Sequence, residues 1–398
     1  MLKKVMLVFA ILGLLVATPV AEAVDSQPRN IILFGWDGAQ RNHVNECLSR
    51  KELPTLQKLS KEGAYIEIDI EGVTDTKAGW SQILTGYYPE VTGVYSNGQY
   101  QSIPKGLSIG ERLEKHFGPD NIVTLAVIGK KGHVDADPPK KIKVEEEAEQ
   151  PKAKKPRARK KQAAEAKAAK QKAAKKKAAK PKKKPQGKII EEDGVKYRLV
   201  PGKPHYNMST NTDLFENGLT LDQKVGTRAI ELIETHKDKP FFFFVHFAEV
   251  DSKGHKQGEN SKEYNDALIS NDTWTGKIMD KIKELGLADK TQYYITTDHG
   301  FNEDGTGHSF APYVFLATNN KKVNRNGRRQ DVAPTILEAF GLDLNKIEPP
   351  LDGISLTKPD KRPPAKIGPA KKAAKAAGKQ KAAEKRAARK RNRQKSQP

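Results

Sequence analysis

The run PFFFFVHFAEVD at residues 240–251 limits the possible folds more than any other stretch of the chain. From Phe241 to Phe247 bulky apolar side chains occupy odd and even positions alike, interrupted only by His246. A strand formed there must be covered on both faces. The runs NIILFGWD, NIVTLAVIG, QYYITTD and PYVFLAT, beginning at residues 30, 121, 292 and 312, have the same character. Helical patterning over Thr220 to His236 and Tyr264 to Leu285 lies among them. Continuous apolar strands joined by helices predict an α/β fold with a mainly parallel central sheet between helical layers.

Three of these runs end on acids: Asp37, Asp251 and the pair Asp298-His299. Open parallel sheets bind ligands beyond the carboxyl ends of their strands, so these groups can meet in one site. Any single aspartate after a strand is ordinarily a turn residue or helix cap, and a lone histidine is ordinarily solvated. The set carries more weight, because Asp251-x-x-x-His255, Asp298-His299-Gly300 and Gly305-x-Gly307-His308 occur with Asp37 in one architecture. The only cysteine, Cys47, rules out an intrachain disulfide and a thiolate cluster. Ligands are thus carboxylate, imidazole or hydroxyl, a donor set suited to zinc, or to manganese, at a catalytic centre with open positions.

A hydroxyl candidate lies in GVTDTKAGWSQILTGYYPEVTGVYSNG, residues 72–98. The β-like AYIEIDIEGV runs into a short helix over AGWSQILTG, placing Thr76 at its N-terminus, where backbone N–H groups favour an anion. A plain threonine cap fits the same pattern.

The net charge of +22 is unevenly spread. Residues 151–190 hold 18 Lys or Arg against Glu165, and 361–398 hold 15 against Glu384, so the remainder carries 22 − 17 − 14 = −9. Both segments are Lys/Ala/Pro-rich with almost no large apolar side chains, which cannot offset the entropy of ordering. Residues 138–190 and 358–398 are therefore expected to be a disordered arm and tail, the arm splitting one domain over residues 26–357. The arms suit non-specific contact with a polyanion, whether nucleic acid, acidic polysaccharide or anionic lipid, or are merely solvated. They lack the interleaved aromatics of base stacking. Residues 1–23, with Lys3 and Lys4 before the apolar stretch Val5–Val16 and with Ala21-Glu22-Ala23, predict an export signal and a mature chain from near Val24. After its cleavage no transmembrane span is expected, and the destination is periplasm, cell surface or secretion.

Asp37, TKAGW leading into ILTGYYPEVTGV, VDSKGH, TTDHG and GTGH together resemble the alkaline phosphatase superfamily, and most of all its type I phosphodiesterase/nucleotide pyrophosphatase branch, from Asn30 to Leu344. The resemblance implies that superfamily's three-layer fold and two zinc ions. One would be held by Asp37, Thr76, Asp298 and His299, the other by Asp251, His255 and His308, with His246 and His205 as substitutes for the last histidine. Thr76 becomes the nucleophile of a phosphate-ester hydrolase, acting on diesters or monoesters. The resemblance also implies an asparagine three residues on that holds a substrate oxygen. This chain has Gly79 there, then Trp80, and both are candidates for substrate contact. The sulfatase branch is more distant, since its nucleophile is a Cys or Ser in a motif with Pro and Arg, and here the segment reads Thr-Lys-Ala-Gly-Trp. A phosphonate hydrolase, a sulfatase-like hydrolase or a phosphoryl transferase are alternatives on the same scaffold. A polyanion-binding protein with a vestigial metal site is the non-enzymatic one.

Overall fold

The computed structural model describes residues 29–136, 139–144, 187–200, 202–203 and 206–365. The expected export signal, residues 145–186 of the basic arm, His205 and the tail beyond residue 365 lie outside the described residues.

The apolar runs are strands of one eight-stranded sheet. Its members are β1 (Asn30–Trp36), β2 (Ala64–Asp69), β3 (Val123–Ile128), β7 (Leu214–Asn217), β8 (Phe241–Phe247), β9 (Thr291–Thr296), β10 (Tyr313–Thr318) and β11 (Gly327–Arg328), in the order β11-β2-β10-β9-β1-β8-β3-β7. From β9 to β7 neighbours run parallel, and β10 alone is antiparallel to both its neighbours. The doubly buried character of the runs has a direct cause in the pleat. Ile31 and Leu33 enter a core on one face, and Ile32, Phe34 and Trp36 enter a second core on the other.

Helices cover both faces. Against the first core pack α3 (Thr76–Thr85), α5 (Ile109–Phe117) and α9 (Val332–Ala339). Against the second pack α1 (Arg41–Ser49), α2 (Pro54–Glu62), α6 (Asp222–His236), α7 (Glu249–Gln257) and α8 (Lys262–Glu284). A single-turn helix, α4 (Pro89–Thr92), follows α3. The expected three-layer α/β fold is thus present. No helix among the described residues is long and apolar enough to cross a membrane.

The basic arm was expected to begin at residue 138 and end at 190, yet both ends are strands. β4 (Lys140–Lys143) and β5 (Lys188–Glu192) each pair antiparallel with β6 (Val195–Val200) in a separate three-stranded sheet. Ile142, Ile189 and Ile190 interrupt the lysines there, and β6 supplies Tyr197 and Leu199. Backbone pairing to that strand outweighs the local charge.

Candidate metal centre and nucleophile

β9, β1 and β8 are adjacent and parallel, so their carboxyl ends lie side by side. Asp37 directly follows β1, Asp298 follows β9 by two residues, and Asp251 sits in the first turn of α7 just after β8. All three carboxylates are buried. His299 is buried beside them, its Nε2 lying 3.6 Å from Asp37 Oδ1, 3.4 Å from Asp298 Oδ2 and 3.9 Å from Asp251 Oδ1.

Thr76 is the first helical residue of α3, and its Oγ1 lies 3.1 Å from His299 Nε2. The other ring nitrogen of His299 is 3.0 Å from the Gly300 carbonyl. That carbonyl can only accept, so Nδ1 donates to it and Nε2 is the nitrogen that faces Thr76. The Lys77 N–H at the same helix end is taken by Asn97 Oδ1 at 2.9 Å.

His255, one turn along α7, places Nε2 3.2 Å from Asp251 Oδ1, while Nδ1 donates to the Thr306 carbonyl at 2.9 Å. His308 stacks on His299 at 3.8 Å between ring centroids, and Thr74 donates its hydroxyl to the His308 carbonyl. Thr74 therefore tethers the loop that delivers His308.

The ligand atoms of Asp37, Asp298 and His299 lie within 4.8 Å of one another, as do those of Asp251, His255 and His308. Asp37 Oδ1, Asp251 Oδ1, Asp298 Oδ2 and His308 Nδ1 are buried without a hydrogen-bond partner among the described residues. An unsatisfied buried polar group costs about 1–3 kcal/mol, and more when charged. Four such atoms gathered around one cluster fit divalent cations, which would satisfy them together.

Electrostatics agree with that fit. Burial and then Asp37 and Asp251 push the Asp298 carboxyl well above the usual range, so without a cation it keeps a proton among crowded acids. Burial and Asp37 also oppose charge on Asp251, but His255, His299 and Lys130 outweigh them and bring it to about 2. Burial works against Asp37 as well, and His133 and His246 hold it well below the usual range. Burial and the neighbouring His299 lower His308 to about 4, leaving a neutral imidazole at neutral pH, the form that binds a metal.

A model of the type I phosphodiesterase / nucleotide pyrophosphatase family matches residues 31–307, which contain six of the seven residues above, His308 falling just beyond. The chain belongs to this family. Over 140 residues it is 31% identical to a 2,3-bisphosphoglycerate-independent phosphoglycerate mutase of Malacoplasma penetrans, covering 31% of this chain and 26% of that one. Over 291 residues it is 22% identical to a bis(5'-adenosyl)-triphosphatase of Pongo abelii, covering 71% and 50%. The chain thus spans half or less of the length of these two relatives. A crystal structure of an alkaline phosphatase superfamily protein from Vibrio parahaemolyticus superposes with a TM-score of 0.49 at 16% identity, over 85% of this chain and 71% of that one.

Four residues of this phosphodiesterase-family site were not singled out from the sequence. His133 Nδ1 and His246 Nε2 lie 2.7 and 3.1 Å from the same oxygen, Asp37 Oδ2, and together with Asp37 form a third group of close ligand atoms. Hydrogen bonds from both rings to Oδ2 account for the contacts and leave Oδ1 turned to the cation site, an orienting role. His246 had been considered only as a substitute ligand. Lys130 Nζ donates to Asp251 Oδ2 at 2.6 Å. Fully buried Arg329 donates to the carbonyls of Asp298 and Val73 and to Gln82, tying α3 to the Asp298 loop. Asn97 reaches the start of α3 from 21 residues downstream of Thr76, and its own N–H donates to Asp75 Oδ2 at 2.7 Å.

Gly79 and Trp80 are buried in contacts with the protein's own side chains. A Cβ on Gly79 would lie 2.7 Å from Asp298 Cβ and 2.9 Å from its carbonyl, so glycine there allows α3 to meet the Asp298 loop. Trp80 is fully buried against Phe244 and His246. The asparagine expected three residues after Thr76 would not fit, and Asn97 brings a side-chain amide to that helix end instead.

Proposed function

We propose that this chain hydrolyses phosphate esters by transferring the phosphoryl group to Thr76. The observation that carries this reading is the set of four partnerless buried ligand atoms beside a threonine hydroxyl held 3.1 Å from His299 Nε2. Asp37, Thr76, Asp298 and His299 would hold one divalent cation and Asp251, His255 and His308 the other, with zinc favoured by the nitrogen and oxygen donors and manganese as the alternative. Such ions, when bound, make the threonine hydroxyl more acidic and offset charge on the transferred group and leaving oxygen.

The chain's own groups then have defined tasks. Thr76 Oγ forms a bond to phosphorus as the ester P–O bond breaks and the alcohol leaves. Water next attacks the phosphothreonine, the P–O bond to Thr76 breaks, and the hydroxyl is restored. Asn97, fixed through Oδ1, retains its NH2 for a non-bridging phosphoryl oxygen. His133 and His246 keep the Asp37 carboxylate in one orientation. The export signal assigns this chemistry to a compartment beyond the plasma membrane, and the basic arms hold the enzyme near a polyanion.

The test is metal content and turnover on zinc-loaded protein, assayed with monoester, diester, phosphonate and sulfate substrates. About two zinc ions per chain are expected, with Asp251→Ala or His255→Ala each losing one. Two ions retained in both variants, or turnover of the sulfate ester alone, would overturn the reading. N-terminal sequencing of the exported protein, expected to begin near Val24, tests the signal.

A further inference from the structure

We infer that Lys130 is a specificity-determining residue that favours phosphate monoesters, whose transferred group is dianionic, over diesters, whose group carries one charge. The inference rests on the phosphoryl-transfer reading of the site and goes beyond it by naming the substrate class.

Lys130 lies two residues beyond the end of β3, next to β8 in the sheet, and so reaches the carboxyl edge where the acids gather. Its Nζ binds Asp251 Oδ2 at 2.6 Å, the outer oxygen of that carboxylate. The inner oxygen, Oδ1, is the partnerless one that lies 3.2 Å from His255 Nε2 and 3.9 Å from His299 Nε2. The ammonium therefore leaves the ligand position open and stands one carboxylate away from the cluster that holds Thr76. The Lys130 side chain is 41% exposed, whereas that of Asp251 is 1% exposed, so Lys130 links the buried acid to the surface.

Two other cations near the site make no ion pair with its acids among the described residues. Arg329 is fully buried and spends its guanidinium on two backbone carbonyls and Gln82. Lys77 is buried and donates to the Gly132 carbonyl. Among the described residues, Lys130 is the one lysine paired with any of the three acids, and its four-methylene stem lets a compact ammonium follow a phosphoryl oxygen. Two divalent ions set against three aspartates leave little surplus positive charge. One added lysine then matters most to the substrate with the extra negative charge.

The experiment compares zinc-loaded wild type, Lys130→Met and Lys130→Arg on p-nitrophenyl phosphate and bis(p-nitrophenyl) phosphate, with calorimetric binding of inorganic phosphate and zinc content measured in parallel. For Lys130→Met we expect kcat/KM to fall at least tenfold further for the monoester than for the diester, with at least tenfold weaker phosphate binding and retained zinc. Lys130→Arg should recover part of the monoester rate. An equal fall for both esters, or zinc loss from Lys130→Met, would reduce Lys130 to a support for Asp251 and overturn the inference. Wild type inactive on both esters would instead overturn the phosphoryl-transfer reading. Unchanged phosphate binding in Lys130→Met counts against the inference independently of turnover.

Discussion

Thr76 and Thr74 stand two residues apart, and their different partners separate their roles. Thr76 faces Nε2 of His299, while Thr74 donates to the His308 carbonyl. Thr76→Ala is expected to lower kcat by at least about a thousandfold by removing the nucleophile, and Thr76→Ser to retain measurable turnover through its hydroxyl. Thr74→Ala should keep the nucleophile and lose loop tethering, with a cost of about 1 kcal/mol in stability. Quenching a reaction at low pH and mapping the phosphopeptide by mass spectrometry checks both. Label on Thr74, or full activity in Thr76→Ala, would remove Thr76 from its proposed role.

At the scale of elements, two helices begin against each other beside the site. α6 starts at Asp222, whose N–H donates to Glu249 Oε2 at 2.8 Å, and Glu249 is the first residue of α7. The Asp222 carboxyl is fully buried, and neither oxygen has a hydrogen-bond partner among the described residues. Burial, then Glu249, raise it to about 8. The unfolded chain releases this proton near pH 4. Between about pH 4 and 8 the folded state therefore holds a proton that the unfolded state does not, and stability falls as pH rises. Asp222→Asn should flatten that decline. At about 1.4 kcal/mol per pKa unit, the variant should exceed wild type at pH 8 by at least about 1 kcal/mol. Urea denaturation at pH 5 and pH 8 measures it, and parallel slopes for the two proteins would exclude Asp222 as the source.

For the whole molecule, the decisive question is how the basic arm joins the body. Lys143, at the end of β4, pairs with Tyr197, and Lys188, at the start of β5, pairs with Leu199 on the other side of β6. Their separation is roughly two strand spacings, about 10 Å. A linker of about six residues, spanning up to about 20 Å, can close it. Replacing residues 145–186 with such a Gly/Ser linker and truncating after residue 365 is expected to preserve the thermal midpoint and turnover of a small ester. Salt-dependent binding to heparin should be lost, because it rests on charge neutralisation. Failure of the shortened chain to fold, or undiminished heparin binding, would show that the arm has another role.

Much was legible in the sequence because covalent order alone carries it. Apolar runs such as Phe241–Phe247 require a sheet buried on both faces, and acids placed just after parallel strands arrive together at one edge whatever the details of packing. Asp37, Asp251, Asp298 and His299 could be named for that reason, whereas the start of a helix made Thr76 a candidate only and its role as nucleophile came from the family resemblance. Other features exist only in three dimensions. His133 and Lys130 come from a loop after β3, which borders the site because β3 pairs with β8. His246 looks like one more core residue until its register beside Gly35 in β1 brings it to Asp37. Asn97-Gly98 signals a turn locally, but that the turn docks on the start of α3 through Lys77 is a tertiary contact. Gly79 lies where α3 meets the Asp298 loop, a close approach that shows only in three dimensions. Strand pairing also set the limits of the basic arm, since backbone hydrogen bonds to β6 recruit lysine-rich segments that composition alone would leave unstructured.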